Sequence, residues 1–113
     1  MQRDDAFVID ILNAAQAARK FCGNLSKKEF LGNQLVQSGV LHQFIIIGEV
    51  VKRLSEGYRR NHPNIPWKLI AGMRDRIIHG YFDVDLEEVW NTVEKDLPAL
   101  IDYLRPLAAS KNS

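Results

Sequence analysis

The run "FIIIGEVV", Phe44 to Val51, decides how the rest of the chain reads. It is apolar around more of a helix circumference than a surface helix requires, and its single charge, Glu49, lies among isoleucines and valines. On either side Leu35, Leu41, Leu54 and Tyr58 continue the helical spacing of Phe44, Ile45, Ile47, Val50 and Val51, with no proline from Asn33 to about Arg60. That pattern predicts one long helix, the longest in the chain. Gly48 within it leaves room for a second backbone, so the helix is either central in its own bundle or shared with another subunit. A carboxylate embedded there needs a partner, which makes an arginine or the start of the following helix the expected neighbour of Glu49.

Working outward, Val8, Ile11, Leu12, Ala15 and Ala18 recur every three or four residues and predict a first helix over residues 4 to 21. "CGN" breaks it. In "SKKE", Ser26 and Glu29 form a capping-box pattern, so a short helix follows and ends near Gly32. Beyond the long helix, "NHPNIPW" reads as a turn, and Pro66 at or near a helix start opens a fourth helix that runs to His79. Gly80 is placed to end it in the left-handed conformation. After the connector "YFDVD", Asp85 with Glu88 marks another helix start, and Leu86, Val89, Trp90, Val93, Leu97, Leu100, Ile101 and Leu104 line the last helix. Pro98 must kink or split that helix, because its ring removes one hydrogen bond and clashes with the preceding turn. The tail, about 108–113, is expected to fray. The reading is all-α: one domain over residues 1–113, a four- to five-helix antiparallel bundle.

A chain of 113 residues, 46% hydrophobic and 26% charged, has the composition of a globular domain able to bury a core without staples. Cys22, alone, forms no internal disulfide and points to a reducing compartment, read as the cytoplasm. The charged opening "MQRDDAFVID" is unlike a secretory signal, and no stretch is read as approaching the ~20 apolar residues that span a bilayer, so the chain is expected to be neither exported nor inserted. Net charge is only +1. Its distribution is uneven, with seven basic residues against two acidic from Lys52 to Arg76, and seven acidic against Lys95 alone from Asp83 to Asp102. The basic block suits a polyanion and the acidic block a basic partner, unless the two pair with each other.

Chemistry concentrates in "GMRDRIIHGYFDVD", Gly72 to Asp85. On a helix Asp75, Arg76 and His79 share a face, being three and four residues apart. Arg74 lies about 140° from His79 around the axis, within reach of a long side chain. Unpaired carbonyls in the last helical turn favour a cation at His79. A histidine bordered by arginines suits proton transfer at a phosphodiester, with guanidinium groups bracing the charge that builds on phosphorus and the RNA 2′-hydroxyl as nucleophile. The same residues also fit a salt-linked helix cap. His42, His62 and His79 are too scattered to pair as metal ligands, and neither a phosphate loop nor a nucleophile elbow is present.

"RDRIIHGYF" resembles the signature of the HEPN superfamily, an arginine, a polar residue and a histidine a few positions on. "IPWKLIAGMRDRIIHGYFDVDLEEVW", with "IDILNAA", "IIIGEVVKRLSE" and "DLPAL", resembles in particular its HepT-like branch, over nearly the whole chain. The resemblance implies a dimeric helical bundle in which the Arg and His of both copies line one cleft, acting as a metal-independent endoribonuclease without cofactor. It further implies a toxin of a type II-like or type VII pair, silenced by a nucleotidyltransferase antitoxin that attaches adenylate to the motif tyrosine. Carried over, Arg74 stabilises the transition state, His79 is the acid or base, Asp75 is the polar orienter, and Tyr81 is the modified residue. Arg76 is added from the shared face. The superfamily also contains members that only bind RNA or nucleotides, which leaves a non-catalytic binding module as the alternative.

Lys52, Arg53, Arg59 and Arg60 could guide RNA through phosphate contacts, or simply form a solvated helix surface. Trp67 and Trp90, at apolar helical positions, are expected in the core rather than stacked on bases. Cys22 reads as a small packing residue.

Overall fold

The computed structural model describes residues 3–112, with side chains through residue 109, so Met1, Gln2 and Ser113 lie outside the described residues. The first helix, α1 (Arg3–Cys22), buries Val8, Ile11, Leu12, Ala15 and Ala18, the face its spacing predicts, and Cys22 is buried with them. Gly23 ends it at φ 52°, a left-handed conformation in which a side chain is strained. Next comes α2 (Lys27–Leu31), opened by the expected capping box: Ser26 accepts from the Glu29 amide at 3.1 Å, and Glu29 accepts from the Ser26 amide at 2.9 Å. It contributes the fully buried Phe30, whose ring meets Trp90 at 5.4 Å between centroids.

The central helix, α3 (Gln34–Arg53), is shorter than its uninterrupted sequence suggests. Leu54 leaves the helical conformation (ψ 142°), and Ser55 caps a separate helix, α4 (Glu56–Asn61). The break is held from outside. Asp4 on α1 accepts from both the amide and the hydroxyl of Ser55, at 2.9 Å and 2.7 Å, while Ser55 Oγ accepts from the Tyr58 amide as a helix cap. Leu54 thereby turns into the core, whereas Leu35, expected to line the apolar stripe, is exposed in the first turn. Contrary to the expectation that no stretch is long and apolar enough to span a bilayer, α3 is so by length and a mean hydropathy of 1.2, as core helices can be. Its apolar face packs between α1 and the next long helix, α5 (Trp67–His79).

Pro66 precedes α5 as its N-cap and offers its carbonyl to the Ile70 amide at 3.1 Å. At the other end Gly80 is not left-handed as expected; its φ is −142°. The Asp83 amide reaches back to the Gly80 carbonyl at 2.9 Å, so the chain tightens into a short 3₁₀ turn, Tyr81–Asp83, instead of reversing at a glycine cap.

Asp85 accepts from the Glu87 and Glu88 amides to start α6 (Leu86–Asn91). A π-helical turn, Thr92–Asp96, then leads into α7 (Leu97–Asn112). The Leu97 amide donates to the carbonyl of Thr92, five residues back. This widened turn is how the helix accommodates Pro98, since the ring would collide with the carbonyl four residues before it in a regular helix. Pro106 lies inside α7, and the helix continues to Asn112, into the stretch expected to fray. All regular structure among the described residues is helical. The molecule measures 42 × 29 × 20 Å, about two helix diameters thick, with α1 against α3 and α7 and α3 against α5. The fully buried Ile11, Val40, Val51, Ile77, Val93 and Leu104 join these helices in one core. Trp67 and Trp90 are both buried in it, as their spacing predicts.

Candidate active site

Close approach of α3 and α5 at Gly48 places Arg74 against the next residue on α3, Glu49. The Arg74 guanidinium bonds through Nη2 to Glu49 Oε1 and through Nη1 to Asp75 Oδ1, the latter at 2.8 Å. Lys52, one turn along α3, donates to that same Asp75 oxygen at 2.6 Å. Two cations and two carboxylates thus form one cluster with no net charge. Lys52, then Arg74, hold the Asp75 carboxyl below the usual carboxylate range, and the bonds to Asp75 and Glu49 raise the already high pKa of Arg74. The expectation of an arginine beside Glu49 is met, but the carboxylate is not deeply buried: its side chain is 41% exposed, against 21% for Arg74.

Asp75 and His79 occupy one helix face, as their spacing requires, yet the carboxylate accepts from Lys52 and Arg74 and no hydrogen bond joins it to the imidazole. His79 is exposed in the final turn of α5, and among the described residues no ion pair or hydrogen bond engages its ring. Arg76, on the same face, pairs instead with Glu88 on α6 at 3.2 Å. That contact joins the basic and acidic blocks, while Lys52 and Arg74 find their carboxylates elsewhere.

Just past Gly80, the 3₁₀ turn presents Tyr81 at 45% exposure and Phe82 at 97%, their rings in edge contact at 5.8 Å. Phe82 is the functional candidate that sequence reasoning passed over. Its signal was an aromatic residue in a polar connector beside the motif tyrosine.

The remaining basic residues do not converge on the cluster. Arg53 borders a separate depression with Arg3, Asp4, Phe7 and Ser55; Arg60 pairs with Glu56 on its own helix at 3.6 Å. Arg59 is partly buried, with a sheltered Nε that has no hydrogen-bond partner. His62, just beyond, bonds through Nδ1 to the Tyr103 hydroxyl at 2.9 Å and stacks on Tyr58, so it belongs to a structural aromatic group. Among the described residues no three His, Cys, Asp or Glu side chains gather where a metal ion could be held.

The three residues that the HEPN resemblance names thus lie along one stretch of chain: Arg74 held by carboxylates, His79 exposed one turn beyond Asp75, and Tyr81 exposed just past the helix. The sequence model of the ribonuclease HepT-like family matches residues 11–107, which includes the whole cluster. The chain belongs to the HepT-like family. Its HepT-like relatives include a "probable ribonuclease HepT" of Thermococcus cleftensis, 37% identical over 94 residues that cover 83% of this chain and 86% of the relative. A "putative RNase" of Methanocaldococcus jannaschii is 38% identical over 95 residues, 84% of this chain and 78% of the relative. Another, of Caldanaerobacter subterraneus, is 40% identical over 76 residues, covering 67% of this chain and 68% of the relative. No solved structure matches the chain. HepT-like membership makes ribonuclease chemistry the family setting of the chain.

Proposed function

We propose that this protein is a metal-independent endoribonuclease in which Arg74 and His79 act on the scissile phosphodiester. The observation that carries the reading is His79, exposed and unengaged at the end of α5, one turn beyond the Arg74 cluster in a chain of a ribonuclease family. As base, the imidazole takes the proton of the RNA 2′-hydroxyl; the freed oxygen attacks phosphorus, the P–O5′ bond breaks, and the 5′-oxygen receives a proton from water, to which the imidazolium returns its own. The guanidinium of Arg74 offsets the negative charge gathered on the phosphoryl oxygens. The product is a 2′,3′-cyclic phosphate. Asp75 serves as orienter of Arg74, and Arg76 borders the site.

The working unit is a homodimer that brings two such sites into one cleft. Support comes from apolar side chains left in water beside the motif: Ile78 at the end of α5 and Phe82 just past it are both exposed. The protein acts in the cytoplasm as the toxin of a toxin–antitoxin pair, and its antitoxin is a nucleotidyltransferase that adenylylates Tyr81, an exposed residue two positions past His79. Lys52, beside the site and paired with Asp75, and Arg53, Arg59 and Arg60 further off contribute weaker phosphate contacts.

Purified protein should cleave RNA in the presence of a chelator, and His79→Ala should abolish cleavage; cleavage undiminished in that variant excludes the mechanism. Co-expression with the antitoxin should add adenylate mass to Tyr81. The second reading, a non-catalytic RNA- or nucleotide-binding module, is favoured by one feature, the neutralisation of Arg74 by Glu49 and Asp75. Binding of RNA without cleavage by unmodified protein would establish it.

A further inference from the structure

We propose that Glu49 is the positioning residue of Arg74, fixing the direction in which its guanidinium meets the phosphate. The inference rests on the reading that Arg74 contacts the scissile phosphodiester, and it adds a residue outside the α5 motif. Three restraints converge on this one arginine. Its root is set by the missing side chain of Gly48, which lets the α3 backbone lie against the Arg74 Cβ and Cγ. One terminal nitrogen, Nη1, is tied to Asp75 on the same helix, and the other, Nη2, to Glu49 across the helix pair.

With a single hydrogen bond to Asp75 a guanidinium can still swing about its long side chain. Adding Glu49 from a second helix fixes the plane, and one N–H on each terminal nitrogen stays available to an anion. The Nε is sheltered and has no hydrogen-bond partner, so the two terminal nitrogens carry all the bonds that hold the group. A half-exposed ion pair such as this contributes little to folding, so its consequence should appear in catalysis.

The experiment compares wild type with Glu49→Ala and Glu49→Gln in two readouts: steady-state cleavage of a short RNA, and hydrogen exchange of the Arg74 Nε–H followed by NMR. Glutamine keeps an acceptor oxygen at the same place, and alanine removes it. Glu49→Ala is expected to lower kcat about ten- to a hundredfold with KM changed by less than about threefold, since the loss is one of orientation. Glu49→Gln should recover most of the rate. The Nε–H should exchange slowly in wild type and in Glu49→Gln, and fast in Glu49→Ala. A Glu49→Ala protein with wild-type kcat, or a Glu49→Gln protein as slow as Glu49→Ala, overturns the proposal. If wild type cleaves no RNA, the nuclease reading fails separately, and the exchange measurement alone decides whether Glu49 holds Arg74: unchanged protection in Glu49→Ala would refute it.

Discussion

Gly48 and Arg74 are closer than any pair of side chains allows: a Cβ built on Gly48 would collide with the Arg74 Cβ and lie 2.8 Å from its Cγ. The contact lies between two helices, and the group in the way is the start of a side chain and not its flexible end. Gly48→Ala must therefore push α5 away from α3. We expect a loss of about 1–3 kcal/mol in urea unfolding, together with loss of RNA cleavage as Arg74 moves. A fully stable, fully active Gly48→Ala protein would contradict the helix contact described above.

The Asp75 carboxyl is held below its ordinary value of 3.8, first by its bond to Lys52 and then by Arg74. A depressed acid stabilises the fold fully above its unfolded value, and that contribution is lost as pH falls through the lower folded value. Wild type should thus exceed Asp75→Asn in melting temperature at neutral pH, with the gap closing as the solution is acidified below 3.8. Melting curves across pH check this; a gap that widens on acidification has the wrong sign.

Asp4 and Ser55 hold the corner between α3 and α4 through two hydrogen bonds, while Ser55 caps α4. Ser55→Ala should cost about 1 kcal/mol, in the range for a lost helix cap. Combined with Asp4→Ala it should cost less than the two single losses added, with a coupling of at least about 0.5 kcal/mol. Additive losses in chemical denaturation would show that the two residues act independently.

Phe30 is completely buried and meets Trp90 across the α2 and α6 contact. Removing its ring leaves a cavity that backbone relaxation only partly fills. Phe30→Ala is expected to destabilise by about 3–5 kcal/mol and to shift tryptophan emission, both read in a single fluorescence-monitored denaturation. A loss below about 1 kcal/mol would mean that the site collapses freely around the missing ring.

Most of the helices, the Ser26–Glu29 and Asp85 caps and most of the buried positions were determined by the sequence alone, because helical periodicity and these caps are local patterns whose hydrogen bonds join residues a few positions apart. The motif from Arg74 to Tyr81 was equally legible, since spacing on one helix decides which side chains share a face. The break at Leu54 was not, because the acceptor that turns the chain there is Asp4, 51 residues away from Ser55. Gly80 escaped the left-handed cap because the following residues pull the backbone into a 3₁₀ turn. Only the tertiary structure decided which partners the motif takes. Asp75 could have faced His79 by spacing, but α3 brings Lys52 and Glu49 to the same few ångströms, and at short range an ion pair from a neighbouring helix outweighs the neighbour one turn along.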